Sequence, residues 1–272
     1  MKLFLLGFSL IFLPFILTAQ NATKTLITKK TEIAPKIDGN LNEEAWKNAP
    51  LATDFIAFKP IPGIKEETDH ATLVYVLYDD QAIYIGAKMK ETNPEDISSE
   101  LTNRDNVGNA DFFDVVIDTY NDKINASEFL VSAAGVQFDA KFSSQGEDEN
   151  WNAVWESAVK INGKEWTAEF RIPFSALRFA DKTEQIWGLN FVRNRQKTQQ
   201  RLTWNALDPK INGFVNQEGE LLGIKQIKSP IRLSFSPYIS SYVNHYPYNQ
   251  TEIKNTTNSF NGGMDLKYGI NA

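Results

Sequence analysis

The sequence contains no cysteine, which excludes a disulfide framework, a thiolate metal site, a cysteine nucleophile and the acylation site of a lipoprotein. Stability must come from packing. A basic block is also missing: 28 Lys and Arg stand against 34 Asp and Glu, a net charge of −6. Nothing here is arranged to neutralise nucleic-acid phosphates, so nucleic acid is not an expected partner. There are two histidines, His70 in a polar loop after KEETD and His245 in a Tyr-rich tail. Without neighbouring ligands they make no zinc site. Neither a G-x-S-x-G elbow nor a P-loop occurs, and long helical patterns are scarce.

What remains is 272 residues, enough for one large all-β domain or one domain with an appendage. The N-terminus reads MKLFLLGFSLIFLPFILTAQN. Lys2 is a charged n-region, Leu3 to Leu17 an apolar h-region, and Thr18 and Ala19 a small-residue cleavage site. Residues 1–19 are therefore expected to be a signal peptide, with the mature chain starting near Gln20 and exported to the periplasm, outer membrane or cell surface. In KIDGNLNEEAWKNAP, an Asp38-Gly39 turn precedes a short helix that Asn42 can cap, Pro50 can end and Trp46 can anchor. ATLVYVLYDDQAIYIGAKM is a hairpin signal around Asp79 to Gln81. Further strands are expected at 112–118, 128–133, 136–142, 154–160, 165–172, 187–195 and 201–206. Their regular spacing predicts an antiparallel β-sandwich with short helices over residues 20–228.

Period-two alternation sorts the tryptophans. In EWTAEFRI, Trp166 shares a face with Ala168, Phe170 and Ile172 and is core. Trp187 aligns with Leu189 and Phe191, and Trp204 with Leu202 and Ala206, which makes both core as well. Trp155 is ambiguous, because Ala153 and Val159 on its face are apolar and Ser157 is not. Trp151 follows the acidic segment SQGEDEN at a strand's mouth, where a large ring can stay partly exposed for a ligand.

After Gly223 the pattern changes. PIRLSFSPYISSYVNHYPYN alternates apolar and small polar residues, and SFNGGMDLKYGINA begins another such run. Residues 229–272 therefore match either an edge hairpin of the sandwich or the start of an outer-membrane β-barrel. Two strands cannot close a barrel, so on the second reading the chain is a fragment.

In their order along the chain, KIDGNLNEEAWKNAP, VLYDDQAIYIGAKM, NADFFDVVIDTYND, EWTAEFRIPFSAL and WGLNFVRNR resemble the family 9 carbohydrate-binding module. The resemblance covers about residues 32–226. ENWNAVWESA and GMDLKYGINA look like a subgroup in which this module sits ahead of an outer-membrane barrel of uncharacterised function. The resemblance implies a secreted β-sandwich, often attached to glycoside hydrolases. Such modules stack a terminal sugar between aromatic rings, fix its hydroxyls with charged and amide side chains, and often bind structural calcium. Trp151 and Trp155 are the candidate stacking rings.

Sugar recognition needs an apolar ring face for the CH groups and planar donors or carboxylates for the hydroxyls. Arg104, Asp111, Arg193 and Arg195 supply such groups beside expected strand ends. Against this, Arg193 and Arg195 could be spent on ion pairs with Asp111 or Glu128. Asp111 and Asp114, three apart, fall on opposite faces of a strand. RDNVGNADFFD and QGEDEN offer oxygens for calcium, but neither has EF-hand spacing, so solvated acidic loops and a structural calcium site both stand open. No cofactor is called for by any motif. Three functions compete: a carbohydrate-binding module acting in polysaccharide or oligosaccharide catabolism, a structural or transport-associated domain of an outer-membrane barrel without sugar binding, and part of a glycoside hydrolase. The last needs two facing carboxylates, which no sequence motif singles out.

Overall fold

A computed structural model describes residues 23–228, 232–245 and 256–269; the expected signal peptide lies outside them. The strands, in chain order, are β1 Thr25–Ile27, β2 Lys29–Lys30, β3 Leu51–Ala52, β4 Ile56–Lys59, β5 Thr72–Tyr78, β6 Ala82–Lys90, β7 Phe112–Asp118, β8 Ala126–Ser132 and β9 Gln137–Ser143. They continue as β10 Gly146–Asp148, β11 Glu156–Asn162, β12 Glu165–Pro173, β13 Glu184–Arg195, β14 Gln200–Thr203, β15 Gly219–Lys225, β16 Arg232–His245 and β17 Thr256–Gly269. Among the described residues the single α-helix, α1, spans Glu44–Lys47.

Strands β1 to β15 form a sandwich of two sheets. The nine-stranded sheet runs β1-β15-β13-β7-β8-β9-β10, with β14 pairing both β13 and β4, and the six-stranded sheet runs β11-β12-β6-β5-β2, with β3 on β5. Alternation puts Phe113, Val115 and Ile117 of β7, with Leu189 and Phe191 of β13, on the inner face. They meet Ile83, Ile85, Ala87 and Met89 of β6 and Trp166, Ala168, Phe170 and Ile172 of β12 in one core. Trp166 and Trp187 are fully buried and Trp204 nearly so, as their alternation predicts.

The outer face of the six-stranded sheet is covered by the segment around α1, where Trp46 packs with Leu77, Ala82 and Tyr84. Asn42 does not cap this helix. The N-cap position is Glu43, whose side chain makes no capping bond. One turn cannot hold itself, and the anchor is instead Glu169 on β12, which accepts hydrogen bonds from the amides of Asp38 (2.8 Å) and Gly39 (2.6 Å) and from Trp46 Nε1 (3.0 Å). Gly39 has φ +83° and lies where a Cβ would come within 2.9 Å of the Val159 carbonyl, so the Asp-Gly turn admits no side chain there.

Among the described residues, β16 and β17 extend neither sheet of the sandwich and pair only with each other, in register from Arg232↔Gly269 to His245↔Thr256. The edge-hairpin reading is thereby corrected for the described residues, since no ladder joins this hairpin to the sandwich.

Candidate functional site

The outer face of the nine-stranded sheet carries a cleft of about 380 Å³. The same alternation that sends Phe113 and Val115 inward turns Phe112, Asp114 and Val116 outward. Register places Leu130 opposite Asp114 and Glu128 opposite Val116 across β7 and β8, with Val192 opposite Asp114 on the other side. Phe112, Leu130, Phe138 and Val192 form an apolar floor. Half-buried rings rise around it: Phe58 from β4, Phe142 from β9 and Phe214 from the loop before residue 215. Phe142 and Phe214 stack with centroids 5.9 Å apart and planes 10° from parallel. Arg201 lays its guanidinium 5.4 Å above the Phe112 ring and donates from Nε to Asn194 Oδ1 at 3.2 Å.

Into this apolar bowl the strands project three carboxyl groups, Asp114, Glu128 and Glu147. Glu128 stands within hydrogen-bonding reach of both others. Burial, the larger cause, and the repulsion of Asp114 and Glu147 push Glu128 far above the usual carboxylate range. Asp114 is raised too, chiefly by burial. At this depth an ionised carboxyl disfavours ionisation of its neighbour, so the pair resists carrying two negative charges. Oδ1 of Asp114 and Oε2 of Glu128 are nonetheless buried without any hydrogen-bond partner. A buried polar atom left unpaired costs about 1–3 kcal/mol, and here both orphans belong to the lining of the cleft.

The six residues singled out in the sequence do not line this cleft; they fall into two other groups. Trp155 is buried, lies face to face with Phe170 (5.6 Å, 3° between planes) and donates from Nε1 to Asp139 at 3.0 Å. Arg104 also donates to Asp139, and Asp139 accepts the Ala153 amide at 2.7 Å. This unit clamps the chain before β11 into the core and leaves Trp155 no free face. Trp151 stays partly exposed, edge-on to Phe129 at 5.8 Å with the Lys141 ammonium 4.3 Å over its ring.

The second group is Arg193, Arg195 and Asp111. Arg193 is wholly buried rather than at an open strand end. It donates to Glu66 (3.0 Å), Thr72 (2.9 Å), the Lys90 carbonyl (2.6 Å) and Glu91 (2.8 Å). Arg195 grips Glu91 through Nε at 2.8 Å and a terminal nitrogen at 2.7 Å. The expected interior pairing is therefore present with different partners, Glu66 and Glu91 in place of Asp111 and Glu128. Asp111 accepts the Gln196 amide at 2.8 Å, and burial raises it to about 6. Asp111 and Asp114 do lie on opposite faces of the sheet, the one beside Arg193 and the other in the cleft. The sequence signal for the cleft was the outward set Phe112, Asp114, Glu128 and Phe138. On a sheet with two covered faces that set is indistinguishable from an ordinary buried outer face.

Among the described residues, no group of three or more His, Asp or Glu side chains is placed to hold a metal ion. From the two acidic loops, Asp148 accepts the Asn150 amide and Asp111 the Gln196 amide, while Asp114 and Glu147 converge on Glu128 in the cleft. Glu218 is a buried carboxyl without a partner. Burial, the larger cause, and Asp118 push it up to about 9.

Residues 37–219 match the family model described as carbohydrate family 9 binding domain-like, and residues 229–272 match a domain of unknown function (DUF5916). No curated protein matches the chain. Among solved structures, the fold is similar to a carbohydrate binding module family 9 from Caldicellulosiruptor kristjanssonii in complex with cellotriose. That likeness is 16% in identity, covers 73% of this chain and 93% of the other, and has a TM-score of 0.53. A module of the same family and organism in complex with glucose is 14% identical, over 76% of this chain and 100% of the other, with a TM-score of 0.55.

Proposed function

This chain belongs to the carbohydrate family 9 binding domain-like family, and from that premise we propose that it binds carbohydrate non-covalently in the outer-face cleft, as an exported module in the capture step of polysaccharide or oligosaccharide catabolism. The observation that carries this reading is the pair of buried, unpartnered carboxyl oxygens on Asp114 and Glu128 inside a Phe-walled bowl. Sugar hydroxyls donate to such oxygens while the CH faces of the ring lie on Phe142 and Phe214. Asn194, Gln196 and Arg201 add donors at the rim. The named ligands of the two similar modules, cellotriose and glucose, support the same class of ligand. The carboxyl geometry favours binding over hydrolysis. A glycosidase pair stands about 5–10 Å apart across the scissile bond, whereas Asp114 and Glu128 stand within hydrogen-bonding reach of each other.

Isothermal titration of the whole protein with glucose and cello-oligosaccharides tests this. Asp114→Asn and Phe214→Ala should each weaken binding about 10- to 100-fold, the cost of one hydrogen bond to a charged group or one stacked ring. Unchanged affinity in both variants would move the site elsewhere.

A second reading, association with an outer membrane, is favoured by the β16–β17 hairpin. Its register gathers Phe235, Ile239 and Val243 with Phe260, Met264 and Leu266 on one face, all more than half exposed. The other face carries Ser236, Tyr238, Ser240 and Tyr242 opposite Asp265, Gly263, Asn261 and Ser259. Each strand has 14 residues, more than the roughly 9–11 that a tilted membrane strand needs. The pattern suits lipid on one side and a polar interior on the other. The full chain should float with phospholipid vesicles, and Ile239→Arg should reduce the bound fraction severalfold, since Arg on a lipid-facing position costs about 2–4 kcal/mol at mid-depth. Flotation indifferent to that substitution would count against the reading.

A further inference from the structure

A second and larger cavity, about 890 Å³, opens where the β8–β9 hairpin, the segment around Trp151 and the turn at Ser175–Arg178 meet. It differs from the cleft in charge. Its charged lining residues are Lys141 and Arg178, and no carboxylate lines it. The Lys141 ammonium donates to Ser127 Oγ and sits 4.3 Å over the Trp151 ring. Neither neighbour carries a negative charge. Burial, reinforced by Arg178, pushes Lys141 down to about 8.

Two other cations are paired with carboxylates, while the partly buried Lys24 meets the Thr53 and Asp54 carbonyls. Arg193 and Arg195 are met by Glu66 and Glu91 at 2.7–3.0 Å. A half-buried ammonium without a counter-charge is expensive, and a cation–π contact returns only part of the cost. An anion entering the cavity supplies what is missing. The rest of the wall says what that anion is attached to: the Trp151 and Tyr120 rings offer apolar faces, while Asn125 and Ser175 offer hydrogen-bonding groups. An apolar ring beside polar groups is the surface that a sugar ring fits.

We propose that this cavity binds a carboxylate-bearing sugar, a uronic acid unit, with Lys141 and Arg178 taking the carboxylate and Trp151 lying against the ring. The sugar rests on the carbohydrate reading above; the anion rests on the uncompensated charge alone. The two sites share one wall residue, Phe142, so a chain of mixed sugars could place a neutral unit in the cleft and an acidic one beside Trp151.

The test is titration calorimetry of the whole protein with glucuronate, glucose and acetate in parallel, on the native chain and on Lys141→Met, Lys141→Arg, Trp151→Ala and Asp114→Asn, with thermal unfolding to establish that each variant is folded. Glucuronate affinity should fall at least tenfold in Lys141→Met and Trp151→Ala, be largely retained in Lys141→Arg and Asp114→Asn, and weaken with added salt. Glucuronate binding that ignores Lys141→Met, or that is lost in Asp114→Asn, would overturn the proposal by placing the acid sugar in the cleft or elsewhere. Acetate binding as tightly as glucuronate would overturn its sugar part. Loss of glucose binding in Asp114→Asn is a separate result that bears on the cleft alone, so failure of either site is distinguishable from failure of the other.

Discussion

Glu91→Ala should cost about 3–5 kcal/mol of folding free energy, the range seen when one partner is removed from a buried ion pair. Glu91 is buried, and both its oxygens are occupied, Oε1 by Arg193 and Arg195 and Oε2 by Arg195. Removing it leaves two guanidinium groups side by side at the end of β13, one of them wholly buried. Glu66 alone would face Arg193 at 3.0 Å, and Arg195 would keep only its bond to Gln200 at 2.9 Å. Glu91→Gln should recover little of the loss, because one end of the amide is a donor and would point at donors. Urea denaturation of both variants measures this. A loss under about 1 kcal/mol for the alanine variant would mean that water enters and solvates the arginines, and the buried-network description would then be wrong.

The second expected effect has the opposite sign. Glu128→Gln should stabilise the ligand-free protein at pH 8 by about 2 kcal/mol or more, with the difference vanishing near pH 4. In the unfolded chain Glu128 titrates near the ordinary value of about 4.3. In the fold, burial and the neighbouring Asp114 and Glu147 hold its proton to much higher pH. Between those limits the native state binds more protons than the unfolded one, so stability falls as pH rises. Below pH 4 both states are protonated and the cost is absent. Glutamine carries no proton to lose, and its amide can donate permanently to Asp114. Urea midpoints at pH 4, 6 and 8 check the slope. A pH-independent difference, or a glutamine variant less stable at pH 8, would refute the raised proton affinity of Glu128. The same residues that should bind sugar thus destabilise the empty protein, which is how a preorganised polar site behaves.

Several elements were legible in the sequence because their cause is local. The hairpin of β5 and β6, the whole of β7, and the inward stripe Trp166, Ala168, Phe170 and Ile172 follow from period-two alternation and turn chemistry. Short edge strands such as β1, β2, β3 and β10 left no trace, because two or three residues carry no period and are held only by their partners. The expected strand through Trp204 stops at Thr203, since the ladder with β4 that supports it ends there. Trp155 was ambiguous for a tertiary reason: its burial depends on Asp139 and Phe170, neither of which is near it in sequence. Trp151 could be marked as a ring at a mouth, but its companions Lys141 and Arg178 arrive from β9 and from the turn after β12.

The sequence by itself determined the all-β class, the two-sheet sandwich, the core tryptophans and the alternating hairpin at the end, because each is written in side-chain period along one strand. It also excluded thiol chemistry by composition. Which residues share a site was decided only by the tertiary structure. Arg193 and Arg195 look like ligand donors until Glu66 and Glu91 are folded against them. Asp114 and Glu128 look like ordinary strand residues until register brings them close together on an outer face. The reason is electrostatic: the fate of a charge depends on what lies within a few ångströms of it after folding, and strand register across a sheet of nine decides that.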